Sequence, residues 1–428
     1  MASEPSGALS PDSSTDTRCG EPEETEGSAG LPREIWVIAL ISLLSSIGLG
    51  VVVPALPALG SLYGVGVAAM TVAISGFAAA RLVTNVGLTS VLRRVPLQPI
   101  LASGLAFQGS MTLLAGSADN YNAFIVFRTF SGVGSAAYTI ASTALMVAIS
   151  PPLHRGRAMS LQAGMVGIGT VSGPAIGGAI VLLDPRLPLA IYGLVLIVGA
   201  VMTLVFLHRV RSIRTVENRP EPGSEAAEGD DRMSRVTFRW LLKSPVFATV
   251  IVGQMISGAV YYGVRSAILP AYLESVGHTV AFVGIALTIA ALSQVLGTVG
   301  AGVGSDRFGR FPLLASSYVA AIIGFALLGG GNLVWVALVA FAALGFAGGV
   351  QQSATGALLA DTPGGRSAAA TGAFWITFDI FAIIGPALGG LIAEQLGMWV
   401  VLTAAVLVLT WALIHSLVSW RRVTRTAE

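Results

Sequence analysis

The sequence predicts an all-α membrane protein of twelve transmembrane helices in two pseudo-symmetric six-helix bundles. Three observations carry that expectation. Hydrophobic residues make up 54% of the 428 residues and charged ones 11%, with a mean hydropathy of +0.79, too apolar for an ordinary soluble domain of this length. One phrase occurs twice: Gly-Pro-Ala-Ile-Gly-Gly at Gly173–Gly178 and Gly-Pro-Ala-Leu-Gly-Gly at Gly385–Gly390, 385 − 173 = 212 residues apart. Pro57 and Gly64 likewise recur as Pro270 and Gly277, 213 residues on, and the glycine-rich stretch around Gly132 has a counterpart around Gly345. A duplicated block of membrane helices is the economical explanation. Third, arginines cluster on alternate connections, as a multi-spanning chain requires.

Residues 1–33 are rich in Ser, Gly, Pro and Glu and too poor in apolar side chains to form a core, so they read as a disordered tail. The tail is acidic, unlike the basic start of a signal peptide, so the first apolar run is expected to stay as a helix. Six apolar stretches follow at about 35–58, 66–90, 96–117, 121–149, 157–183 and 187–208, forming a first bundle over 34–208. At 1.5 Å per residue each can cross a hydrocarbon core of about 30 Å. Residues 209–243 carry Glu217, Pro220, Glu221, Pro222, Gly223, Glu225, Glu228, Asp230 and Asp231, a solvated linker. A second bundle over 244–420 has spans at about 245–273, 279–303, 311–330, 333–361, 368–394 and 397–420, and 421–428 is a short tail.

With the amino terminus in the cytoplasm, the cytoplasmic connections hold Arg93, Arg94, Arg155, Arg157, Arg307, Arg310 and Arg366, and the tail adds Arg421, Arg422 and Arg425. The opposite face has Arg186 alone. An even number of spans then puts both termini in the cytoplasm, as the positive-inside rule requires. A multi-pass protein of the plasma membrane is the expectation, with the lipid bilayer as its surroundings.

Several classes drop out. Cys19, the single cysteine, lies in the polar tail, so no disulfide framework or thiol metal site is expected. No phosphate-binding loop of the G-x-x-x-x-G-K-[ST] kind is present, which argues against an ATP-driven pump within the chain. No enzymatic motif, metal site, organic cofactor or nucleic-acid partner is read from the sequence, and a monomer is expected.

The chain resembles the major facilitator superfamily, in particular its twelve-helix drug:proton antiporter-like branch, from about Ile35 to Trp420. After the eighth span, Gly302-Val-Gly-Ser-Asp306-Arg307-Phe-Gly309-Arg310 is similar to that family's cytoplasmic loop motif. Glycines permit the tight turn, while Asp306, Arg307 and Arg310 can pair with one another or with a helix end. The resemblance implies that this cluster is a cytoplasmic gate, remade during alternating access. The first-half copy departs from the pattern: Arg81-Leu-Val-Thr-Asn85-Val-Gly87 opens like the motif, but Val91 stands where the aspartate usually does. Arg128-Thr-Phe-Ser-Gly132-Val-Gly134 resembles the stretch that places a buried arginine in proton-coupled antiporters. Gly169, Gly173, Pro174, Gly177 and Gly178 match the fifth-span antiporter motif, with Gly385, Pro386, Gly389 and Gly390 as the second-half copy. Gly48, Gly50, Pro54 and Pro57 resemble the first-span pattern of the same branch. Helix bending and close packing explain the same glycines and prolines without any gating role.

Four charges fall within spans: Arg81, Arg128, Arg265 and Asp379. Charge at membrane depth is costly, so each should face a water-filled cavity or a partner. Asp379 is the one acid deep in an apolar stretch, and its first-half counterpart, 379 − 212 = 167, is Gly167. A carboxyl held there can exchange a proton near neutral pH, which makes Asp379 a proton-coupling candidate, and the resemblance implies Arg128 as the second. By helical rise Asp379 lies about 16 Å from the cytoplasmic start of its span and Arg128 about 10 Å from the outer start of its own, comparable levels. Arg265 lies about 12 Å above Asp379. A fixed structural ion pair is the alternative for Asp379, and helix-to-helix hydrogen bonding is the alternative for Arg81 and Arg265. The antiporter branch it resembles often has an acid in its first span, and Leu43–Pro57 contains none, so in a proton-coupled protein Asp379 carries a larger share, or coupling differs altogether.

Tyr138, Gln254, Tyr261, Tyr262, Arg265, Gln351 and Gln352 are candidates to line a substrate cavity, with interhelical hydrogen bonding as the alternative for each. An apolar cavity with a few amides and phenols suits a bulky amphipathic small molecule. The expected function is therefore proton-coupled efflux of such a molecule, a drug or secondary metabolite, by a non-enzymatic secondary transporter. Movement of an anionic metabolite, with arginines as ligands, is the alternative, and a receptor or scaffold that moves nothing is a third.

Overall fold

The computed structural model describes residues 32–92, 95–150, 155–210, 213, 244–329, 333–362 and 368–427. Nearly all of the expected amino-terminal tail and of the expected linker, with Arg93, Arg94 and Arg366, lie outside them. All regular structure among the described residues is helical. The first expected span is two helices, α1 (Arg33–Val52) and α2 (Ala55–Tyr63), parted at Val53 and Pro54. Then come α3 (Val67–Leu92), α4 (Leu97–Gly116), α5 (Tyr121–Ile149), α6 (Arg155–Val181) and α7 (Leu187–Phe206). The seventh span is α8 (Pro245–Ile256), a π-helical stretch (Ser257–Ile268) and α9 (Leu269–Ser275). It is followed by α10 (Val280–Phe308), α11 (Arg310–Gly329), α12 (Val334–Asp361), α13 (Ala368–Gln395) and α14 (Met398–Ala427).

Local chemistry fixes several ends. Asn120 caps α5 by accepting from the Ala123 amide at 2.9 Å, and Ser244 and Thr279 do the same for α8 and α10 at 3.4 and 3.3 Å. Gly64 and Gly277, the pair noted in the repeat, both turn with positive φ, 64° and 94°, where a side chain would be strained. The last helix runs seven residues beyond the expected 397–420, because Trp420-Arg-Arg-Val-Thr-Arg-Thr-Ala holds no breaker.

Among the described residues, eleven helical units are long and apolar enough to cross a membrane. The remaining expected span, α4, has 20 residues, but Gln98 and Gln108 dilute its hydropathy. Both amides are buried and used inside the first half: Gln98 Nε2 donates to the Thr203 carbonyl at 3.2 Å and Gln108 Nε2 to the Tyr192 hydroxyl at 3.0 Å. On α7, Leu194, Val198, Val201 and Val205 are exposed along one stripe, the face a lipid-bathed helix presents.

The halves pack alike. In the first, α1 lies on α6, α3 on α5, and α4 between α5 and α7. In the second, the π segment lies on α13, α10 on α12, and α11 between α12 and α14. The repeated motif sets the first of these contacts. A Cβ on Gly173 would lie 2.6 Å from the Ile47 carbonyl oxygen and 2.8 Å from Gly50 Cα, and one on Gly385 would lie 2.5 Å from Ala259 Cα. Only a hydrogen fits, so backbones touch there.

Two seams join the halves, α3 with α13 and α6 with α10. In each repeat the last glycine faces the other half: Gly178 meets Gly284, and Gly390 meets Ala68 and Thr71. These contacts lie at the end of the bundle opposite the termini. Toward the termini, a Cβ on Gly87, Gly164, Gly300, Gly302, Gly356 or Gly372 would meet nothing within 4 Å.

Candidate functional site

A cavity of about 220 Å³ lies between the halves. Its wall is mostly apolar, from Leu49, Val52 and Leu56 of the first span, Ile74 of α3 and Leu287, Ala290 and Ala291 of α10. Its polar groups are Ser46, Arg128, Thr170, Tyr262, Arg265, Ser266 and Gln294. The π segment supplies three of these. Its wider turn brings Tyr262, Arg265 and Ser266 to one wall, and Ser266 Oγ donates five residues back to the Tyr261 carbonyl at 3.0 Å. The first half opens the same position differently, by breaking the span at Pro54.

Beside the cavity, the α3–α13 seam holds the buried carboxylate. Asp379 Oδ1 is 3.9 Å from Arg81 Nη2, and Asn85 Nδ2 donates to its Oδ2 at 3.4 Å. Arg81 and Asn85 are one turn apart and share a face of α3. Helical rise places Arg128 at a comparable depth, but the acid's partner is Arg81. Depth along a helix says nothing of lateral position, and α3, not α5, packs on α13. Arg128 is buried instead over the Phe77 ring, 4.4 Å from its centroid, with Nη1 3.5 Å from Ser131 Oγ. Phe77 precedes Arg81 by one turn of α3, so the cavity arginine and the ion pair sit against one helix face. Tyr262 connects the two from the other side, its ring edge-on to Phe378, centroids 5.9 Å apart.

The remaining candidates divide. Tyr262 and Arg265 line the cavity, while Tyr261 is buried behind them beside Arg265. Gln351 is structural: its Nε2 donates to the Gly253 carbonyl at 2.6 Å and its Oε1 accepts from Ser257 Oγ at 2.9 Å. Gln254 and Tyr138 are buried in their own halves and Gln352 is exposed, and none of the three lines the cavity. In the loop motif, Gly309 turns with φ 83°. Arg310 pairs with Asp361 and donates Nη1 to the Ala357 carbonyl at 2.6 Å, so it clamps the end of α12 within the second half. Arg307 is exposed, and the side chain of Asp306 lies outside the described residues.

With this architecture goes a family match over residues 38–277 and 250–428. The chain belongs to the Major Facilitator Superfamily. It is thus a multi-pass membrane transporter, not an enzyme. It is 21% identical over 373 residues to an uncharacterized MFS-type transporter of Methanocaldococcus jannaschii, covering 86% of this chain and 93% of that one. It is 32% identical over 155 residues to the class C tetracycline resistance protein of Escherichia coli, covering 35% and 39% respectively. Among solved structures, a bacterial homolog of the human lysosomal transporter Spinster, inward-facing and unoccupied, matches with a TM-score of 0.70 at 16% identity, over 90% of this chain and 96% of that one. That likeness is one of fold.

Sequence reasoning passed over Gln294, which accepts from Arg265 Nη2 at 2.9 Å. The signal that singled out Gln254, an amide in an apolar span, applies to it equally. It also passed over Asn85 as a partner of Asp379, although its spacing from Arg81 was legible.

Proposed function

We propose that this superfamily member exports an amphipathic small molecule against inward movement of protons, by alternating access of a cavity between the halves. The observation that carries the reading is the Arg81–Asp379 pair with Asn85, placed across the α3–α13 seam. Parting the halves must separate an acid on one from a cation on the other. A proton on Asp379 removes the attraction and a carboxylate restores it, which links protonation to the opening of the seam. Phe77 and Tyr262 put this pair beside the cavity, so substrate and proton can bias one conformational equilibrium. Arg128, the second coupling candidate, acts in this proposal at the cavity end. Contact between the halves at Gly178–Gly284 and Gly390–Thr71, at the end away from the termini, supports a conformation open toward the termini. With both termini cytoplasmic, that is the state that loads a molecule for export from the plasma membrane. The likeness to a protein named for tetracycline resistance supports export over uptake.

Proton flux driven by substrate in proteoliposomes tests the reading. Each substrate molecule leaving should carry protons the opposite way. Substrate movement that ignores an imposed pH gradient would remove antiport, and absence of movement with a broad panel of ligands would remove export.

A further inference from the structure

The cavity holds two positively charged groups that are incompletely satisfied. Arg128 is 4% exposed and its Nε has no hydrogen-bond partner. Arg265 gives Nη2 to Gln294, but its Nη1 is buried without a partner. Among the described residues lining the cavity there is no Asp or Glu, and Asp379 nearby is engaged by Arg81 and Asn85. Buried donors are ordinarily paired, and a guanidinium surrounded by apolar wall is costly while it is not. A planar guanidinium matches a carboxylate through parallel N–H donors, whereas an amine would meet like charge. Leu49, Leu56, Ile74 and Leu287 offer the rest of a ligand an apolar surface.

We infer that the cavity takes an amphipathic organic anion, a carboxylate whose head is held by Arg265, with Arg128 adding positive charge to the same cavity, and whose apolar body lies against the leucine wall. The inference rests on reading the protein as a carrier of amphipathic molecules and names the charge of what is carried. Gln294 is then a positioning residue that holds one edge of Arg265 at the cavity wall.

Isothermal titration of the full chain in nanodiscs tests it, with phenylbutanoate and naphthoate beside their amides and the matching primary amines. The carboxylates should bind about tenfold or more tightly than either counterpart, the size expected of charge-assisted hydrogen bonds. Arg265→Gln should bring carboxylate affinity down to that of the amide, and Arg265→Lys should restore part of the preference. Amides or amines that bind as well as the carboxylates would overturn the inference, as would a preference unchanged in Arg265→Gln or no carboxylate binding. Amines that drive proton flux while carboxylates do not bind would sink the anion site and leave transport standing. Arginine-dependent carboxylate binding without any movement across liposomes would do the reverse.

Discussion

The two seams between the halves occupy equivalent places in the repeat and are built of different chemistry. Gly178 and Gly284 correspond to Gly390 and Thr71, since 390 − 178 = 212 and 284 − 71 = 213, and each pair forms the tight point of its seam. Below that point the likeness ends. The α3–α13 seam is polar along its length: Glu394 accepts from the Ala68 amide at 3.2 Å, Ser75 Oγ donates to the Ile383 carbonyl at 2.7 Å, and Arg81 and Asn85 hold Asp379. In the α6–α10 seam the counterpart of Asp379 is Gly167, whose added Cβ would meet Val295 at 3.7 Å. The counterpart of Arg81, 81 + 213 = 294, is Gln294, which turns to Arg265. Duplication supplied one contact surface twice, and divergence put the charges on one copy. On our reading, the glycine seam is a bearing and the charged seam is the switch.

The largest effect should come from what the halves share. Leucine at Gly173 or at Gly385 forces a side chain into touching backbones, so both variants should lose about 3 kcal/mol and fail together in yield and melting temperature. A marked difference between them would break the equivalence of the halves. Next, Arg81→Ala leaves the buried carboxylate with Asn85 alone and should cost about 1–3 kcal/mol, and adding Asp379→Ala should return most of it in a double-mutant cycle. The equivalent cycle, Gln294→Ala with Gly167→Ala, should show coupling near zero. Ser75→Ala removes one hydrogen bond across the charged seam and should cost about 1 kcal/mol, read by thermal melting. Smallest, Val295→Ala trims the glycine seam by about 0.5–1 kcal/mol, and the pH profile of transport should stay where it is in the wild type.

Much of this was legible in the chain. The Gly-Pro-Ala phrases marked faces where neighbours pack closely, because a glycine stripe in an apolar helix needs a backbone to touch, while the partners, α1 on α6 and the π segment on α13, are set by the bundle. Asp379 stood out because acids are rare at that depth. Its partner did not, because depth constrains one coordinate and the bundle decides the other two. The one-turn spacing of Arg81 and Asn85 was the available clue. The π segment left no trace in the sequence: its apolar and polar residues read equally well at 3.6 residues per turn, and the wider winding is set by packing on α13. Gln351 and Gln294 show the same limit. Both are amides in apolar spans, and only the neighbours make one a brace between α12 and α8 and the other a cavity group.

Asp379→Asn tests the central claim, that the single charged seam carries the proton, most directly. The amide keeps the size and much of the hydrogen bonding of the carboxyl but cannot titrate. Transport and melting temperature are measured on the same purified variant in liposomes of controlled pH gradient. We predict a protein that melts within a few degrees of the wild type, still binds substrate, and no longer accumulates it in response to the gradient. A stable Asp379→Asn protein with undiminished gradient-driven transport would contradict the account.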